Sequence, residues 1–485
     1  MLKKLSGIGI GQILFTIPSE LSALKTYLLV PLINLRCGRR GSKRVSLCST
    51  IQHRRSIHID VSPSPCLADH CPRICVTSAK QNTDYTIKGS IKNGKNILVS
   101  FAHFKSSSTG EINPNQQPSL GGTYTGVDGA GLLWSLQFQE KQEYTILSVK
   151  GMDVLKPLQM QFSVHQGALT AQELESSFAI AECQLERTFL SKDVKFQEVS
   201  EGSLRGIIFK PPGRGPFPGV IDMYGIGGGL KAVRAALLAS CGFVTYALPY
   251  FAYQDLVKTV PGVDLEYFKE ALIWFSSQEC VDPSRVGFVA TSMGAIICMI
   301  ISSMMADKVR AIVCYGAPHH HVMVPLKYRT LYLPFVEYSS DLMEVNKEGE
   351  INLLKSITSN LNNATEKTAI KIEKSRADFL FIAGEDDQIV NSADCASKLT
   401  ERLSRNGHHN HTVLTYPGTG HLIDPGLLPV SNKTRHPFCD DLLIINGGNL
   451  YDQAKAQRHS WVRVKDFMKD KLAYALTSPL QKKVL

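Results

Sequence analysis

No stretch of this 485-residue chain stays apolar for the roughly 18 to 20 residues that a membrane-spanning helix needs. The runs Gly7–Pro18 and Tyr27–Leu35 come nearest, and Glu20 and Lys25 interrupt them. Stable insertion into a membrane is therefore not expected. The twelve cysteines lack paired spacing, and the tightest group, Cys66, Cys71 and Cys75, contains no Cys-x-x-Cys pair. That argues against a zinc site and makes a reduced intracellular compartment the simpler setting. Acids nearly vanish from residues 1–59, which hold ten Lys/Arg against Glu20 alone. The remainder carries 43 basic and 42 acidic residues, so nearly all of the formal charge of +10 belongs to the N-terminus. The body of the protein offers no electrostatic case for nucleic acid. No internal repeat is visible.

Residues 1–58 are Arg-, Ser- and apolar-rich, with Arg36, Arg39, Arg40, Lys43 and Arg44 as the densest basic cluster. That is the composition of a mitochondrial transit peptide; a secretory signal, an anchor or an uncleaved tail are the alternatives. The expected address is the mitochondrial matrix, with peroxisome or cytosol as the other settings. The C-terminal Lys483-Val484-Leu485 resembles a Ser-Lys-Leu ending only faintly, because its middle residue is not basic.

From residue 59 to 199, short apolar runs broken by polar turns (Tyr85–Ile91, Asn96–Ala102, Leu132–Phe138, Tyr144–Val149) predict an all-β sandwich. The texture changes near Leu204. Apolar, β-branched runs at Gly219–Tyr224, Phe243–Leu248, Val286–Ala290, Val309–Tyr315, Asp378–Ala383 and Thr412–Tyr416 alternate with helical stretches such as Ala232–Ser240 and Leu265–Ser276. Residues 200–475 are thus expected to form an α/β domain on a mostly parallel sheet, since strands buried on both faces read as continuous apolar runs. The connection 316–376 is too long for a simple crossover and reads as a cap-like insertion. An amphipathic helix follows Gly447, and residues 476–485 form a C-terminal tail.

Val286–Ala290 runs directly into Thr291-Ser292-Met293-Gly294, and an apolar helical run begins at Ala295. Strand, sharp turn and helix are the parts of a nucleophile elbow, although Ala290 stands where the usual motif has its first glycine. Ser292 alone reads equally well as an ordinary helix N-cap. Its partners change the balance. Phe379–Ala383 leads into Gly384-Glu385-Asp386-Asp387, and Thr412–Tyr416 leads into Pro417-Gly418-Thr419-Gly420-His421. The order Ser292, Asp387, His421 is the one an α/β-hydrolase uses. His421 would take the serine proton, and Asp387 would fix the imidazole tautomer. The oxyanion-hole donors are expected from the backbone of Met293 and of Gly225 or Ile226, in the glycine-rich loop Tyr224–Gly229. That loop lacks both the Gly-Lys-Ser/Thr ending of a P-loop and the spacing of a dinucleotide fingerprint. No cofactor and no metal are expected. The clusters His319-His320-His321 and His408-His409-Asn410-His411 read as polar loops, because consecutive residues do not converge on one ion. Cys298 reads as core.

These residues resemble the acyl-CoA thioesterases and bile acid-CoA:amino acid N-acyltransferases. The likeness covers nearly the whole chain after Val61: Leu120–Gly126 with Gly131–Trp134, Gly215–Gly225, Gly227–Leu230, Leu265–Phe268, Phe381–Asp387, Tyr416–Pro425 and Gly447-Gly448. It implies a β-sandwich followed by an α/β-hydrolase domain, an acyl-CoA substrate, and catalysis by Ser292, Asp387 and His421. It also implies a division by nucleophile, with cysteine in the amino-acid transferases and serine in the thioesterases, so Ser292 favours hydrolysis. The transferase, and a catalytically weakened acyl-CoA-binding protein, are the competing functions. A monomer or small homo-oligomer is expected. The chain departs from the family's Ser-Lys-Gly-Gly-Glu at Ser292-Met-Gly-Ala-Ile296, has Asn446 where Trp is common, and has Pro425-Gly-Leu427 in place of Pro-Pro-Tyr.

Overall fold

The computed structural model describes residues 56–93, 96–139, 153–436 and 439–473. The extension up to residue 55, the strand read at Tyr144–Val149 and the tail 476–485 lie outside the described residues.

The larger sheet has eight strands: β1 (Lys195–Glu201), β2 (Leu204–Lys210), β3 (Phe217–Met223), β4 (Val244–Ala247), β5 (Val281–Thr291), β6 (Ala311–Tyr315), β7 (Asp378–Gly384) and β8 (His411–Tyr416). They stand in the order 1-2-4-3-5-6-7-8. Every pairing from β4 across to β8 is parallel, while β1 and β2 run antiparallel at one edge. This is an α/β-hydrolase sheet, mostly parallel. Its central strands are largely apolar because both faces are covered. Along β5, Phe288 and Ala290 enter one core and Val289 enters the other. Helices α2 (Leu265–Ser276), α3 (Met293–Met304) and α5 (Ser392–Arg405) fill the first core. Helices α1 (Val233–Ala239) and α6 (Leu450–Lys471) fill the second. Each Leu or Phe fully buried there contributes about 2 kcal/mol. Side chains cap three of these helices: Asp264 accepts from Glu266 N–H, Asn391 from Asp394 N–H and Asn449 from Asp452 N–H.

Because β1 is laddered to β2 from Lys195 onward, the sheet begins a few residues before the boundary drawn at 199/200. In the strand-rich region ahead of it, a six-stranded sheet and the ribbon His58–Ser62/Arg73–Thr77 share one apolar core containing Ile59, Ile74, Ile87 and Phe162. The run Leu132–Phe138 is not a strand throughout: Gly131–Trp134 is a helical turn, and only Gln137–Phe138 pairs with the sheet. Asp128 overrides the β-like composition by accepting Ala130 N–H and Trp134 Nε1–H, which winds the chain around its carboxylate.

The segment 316–376 holds a hairpin (Lys327–Tyr328/Leu331–Tyr332), helix α4 (Leu354–Leu361) and short strands at Glu344–Val345 and Glu350–Asn352. The last of these pairs with Cys439–Ile445, so the segment is tied to chain beyond β8. Among the described residues no helix is long and apolar enough to cross a membrane.

Candidate active site

Ser292 sits between the end of β5 and the first residue of α3, at φ 56° and ψ −120°. A non-glycine residue held at positive φ costs about 1–3 kcal/mol. The helix gains no cap in return, since the Ser292 side chain accepts no backbone N–H there. Ser292 thus occupies the N-cap position without capping the helix. The Ser292 N–H donates to Tyr315 O at 2.8 Å, and its carbonyl accepts Ala295 N–H and Ile296 N–H. Met293 opens α3, so its N–H belongs to the first helical turn, which has no acceptor inside the helix.

The loop after β3 approaches the elbow closely. A Cβ on Gly225 would stand 2.9 Å from Ser292 Cβ and 3.4 Å from its Oγ, and one on Gly294 would stand 2.5 Å from Tyr224 O. Hence glycine is required at 294, whereas the fully buried Ala290 is accommodated. The Tyr250 hydroxyl donates to Tyr224 O and lies 3.2 Å from Gly225 O, pinning the loop. Ile226 follows, half-buried against the core.

Asp387 lies three residues past the end of β7, its side chain fully buried. Its Oδ1 accepts Ile389 N–H and Val390 N–H, and its Oδ2 stands 2.7 Å from His421 Nδ1. A carboxylate oxygen accepts, so this bond calls for the His421 tautomer with its hydrogen on Nδ1, in which Nε2 is the nitrogen left free. The imidazole packs against Gly316, with Cε1 2.9 Å from where a Cβ there would stand. Gly316 follows Tyr315, whose carbonyl receives the Ser292 N–H, so Ser292 and His421 both lie beside the end of β6. Asp386 serves the loop instead, accepting Gly448 N–H and the Gln388 amide.

The histidines of the first cluster point to separate partners: His319 Nδ1 to Cys395 Sγ at 3.2 Å, His320 to Thr368, His321 to Pro334 O. Burial pushes the Cys395 thiol up to about 12 and His319 down to about 4, so this pair is neutral and no thiolate nucleophile. In the second cluster, His411 bonds Ser404. Cys298 is buried in the core and bonds Ala295 O.

Three residues at the site were not singled out as functional by the sequence: Arg234, Asp222 and Thr291. The guanidinium of Arg234 donates to Asp222 Oδ1 (2.8 Å), Thr291 Oγ1 (2.6 Å) and Met223 O (2.9 Å). A lone arginine in the otherwise apolar stretch Ala232–Ala239 was the available signal.

Two family models match the chain: "Acyl-CoA thioester hydrolase/BAAT N-terminal region" over residues 69–201 and "BAAT / Acyl-CoA thioester hydrolase C terminal" over residues 263–474. The chain belongs to the acyl-CoA thioester hydrolase/BAAT family. Its curated relatives in that family carry both kinds of name. Mouse "Acyl-coenzyme A amino acid N-acyltransferase 2" is 34% identical over 86% of this chain and 98% of its own length. Human "Acyl-coenzyme A thioesterase 1" is 32% identical over 83% and 93%. Human "Acyl-coenzyme A thioesterase 2, mitochondrial" is 32% identical over 83% and 81%. Among solved structures, a dienelactone hydrolase-like phosphotriesterase from metagenomic libraries aligns at TM-score 0.37 and 16% identity, over 57% of this chain and 98% of its own. The family membership rests on the sequence matches.

Proposed function

We propose that the protein hydrolyses acyl-CoA thioesters through an acyl-enzyme on Ser292. The observation that carries this reading is the strained, uncapped Ser292 at a strand-to-helix elbow, with the Asp387–His421 pair across β6. In the reaction, His421 Nε2 takes the Ser292 proton as Oγ attacks the thioester carbonyl. The oxyanion develops toward the backbone N–H of Met293 and of Gly225 or Ile226. CoA leaves as the thiol with the proton from His421, and the same base then activates the water that releases the acid.

Relatives named as amino acid N-acyltransferases favour a second reading, in which glycine or taurine intercepts the acyl group. Serine supports hydrolysis, because an oxyester acyl-enzyme is less reactive toward an amine than a thioester. Incubating the protein with palmitoyl-CoA and with a bile acyl-CoA, with and without glycine or taurine, separates the two. Free acid and CoA, lost in Ser292→Ala, are expected; dominant amide product would overturn the hydrolase reading.

The proposed location is the mitochondrial matrix. Residues 1–60 fused to a reporter are expected to direct it to mitochondria, and a cytosolic signal would refute that.

A further inference from the structure

We infer that Arg234 is a positioning residue that locks the glycine loop after β3 to the nucleophile elbow after β5, through Thr291 and Asp222. This rests on the Ser292 acyl-enzyme reading above. The ladder between β3 and β5 ends at the pair Met223↔Ala290. Beyond it, Tyr224-Gly225 and Thr291-Ser292 have no rung between these two strands, yet this is where Gly225 and Ser292 must keep a fixed separation. Arg234 supplies the missing rung. From α1 it reaches Asp222 and Met223 on β3 and, across the gap, the Thr291 hydroxyl beside Ser292. Its guanidinium carbon lies 3.9 Å from the Tyr224 ring centroid, so it also braces the first residue of the loop.

Burial sharpens the argument. Arg234 and Asp222 are each 1% exposed, and Asp222 Oδ2 has no hydrogen-bond partner among the described residues. A buried ion pair with an incompletely satisfied carboxylate is an inefficient stabiliser, and apolar residues of equal volume often do as well or better. What an apolar pair cannot do is hold three acceptors on two strand ends at once. Lysine, whose three donors sit on one nitrogen rather than on a planar fork, cannot span them either.

The test compares Thr291→Val, which removes the acceptor at nearly constant shape, with Thr291→Ser, which keeps it. Full-length protein is assayed for kcat and KM on palmitoyl-CoA, for the rate of Ser292 labelling by a fluorophosphonate, and for Tm. In Thr291→Val, kcat and labelling are expected to fall about 10- to 100-fold with KM within about twofold, while Thr291→Ser stays within about threefold of the parent. Equal kcat and labelling in the two variants would overturn the inference. If Thr291→Val does not fold, Arg234→Lys decides, with the same loss expected and parental rates refuting it. A parent that labels at Ser292 but releases no CoA removes the thioester reading, and the positioning role is then judged on labelling alone. A parent that neither labels nor turns over removes both.

Discussion

The Nδ1 of His421 stands 2.7 Å from Asp387 Oδ2, while the other oxygen of that carboxylate is held by the N–H groups of Ile389 and Val390. With Oδ1 held by two N–H groups, the Asp387 carboxylate is fixed in place and presents Oδ2 to His421. In Asp387→Asn the amide can present a donor to Nδ1, which places the imidazole proton on Nε2 and leaves Ser292 without a base. A loss of about 10³- to 10⁴-fold in kcat is expected. Asp386→Asn is the control, because Asp386 bonds Gly448 N–H and Gln388 rather than the imidazole. It is expected to lose less than about tenfold. Equal losses in the two variants, measured as CoA release, would show that the acidic turn matters as a whole and not through Asp387.

Gly225→Ala tests the approach of the glycine loop to the elbow. Its added methyl would stand 2.9 Å from Ser292 Cβ, closer than carbon atoms pack, so loop or serine must shift by several tenths of an ångström. A displacement of that order is expected to reduce kcat about 10- to 100-fold. Steady-state kinetics alongside thermal melts check it: an unchanged kcat would mean that the Gly225 backbone takes no part in the oxyanion site.

Met293 and Ile296 stand where the family pattern carries Lys and Glu, and both are buried in the core that α3 fills. At i and i+3 they share a helix face, so an apolar pair occupies one surface where the family pattern has two opposite charges. Met293→Lys alone buries an unpaired charge and is expected to destabilise by roughly 3 kcal/mol. Adding Ile296→Glu is expected to restore part of that. Denaturant melts of the two singles and the double form a cycle, and additive effects would show that the positions do not interact.

The parts legible in the sequence are those whose signal is local. Largely apolar, β-branched runs marked the six strands from β3 to β8, and α2 fell at the helical stretch Leu265–Ser276. Ser292, Asp387 and His421 each followed such a run, so finding the strands placed them at one end of the sheet. The rest depended on partners remote in sequence. The strands Lys433–His436 and Cys439–Ile445 acquire a sheet only by pairing with one another and with Glu350–Asn352. Arg234 needs Thr291, 57 residues away, before its burial makes sense. At Leu132–Phe138 a single carboxylate, Asp128, outweighed the β-like composition.

Asp424, three residues beyond His421, ties the histidine loop to the charges around Arg234. Burial pushes its carboxyl from an ordinary 3.8 up to about 6, against the pull of Arg234 and Lys231 and with the push of Asp222. The folded state therefore binds a proton between about pH 4 and pH 6 that the unfolded chain releases, and over that window this group makes stability fall as pH rises. The cost is fully present above about pH 6 and absent below about pH 4. Asparagine cannot ionise, so Asp424→Asn is expected to be more stable than the parent by roughly 3 kcal/mol near neutral pH, with the gain fading to nothing on acidification. Melting both proteins in steps from about pH 4 to pH 8 reads the difference directly. A gap that stays constant with pH would mean that Asp424 keeps an ordinary carboxyl and that its burial does not penalise the charge.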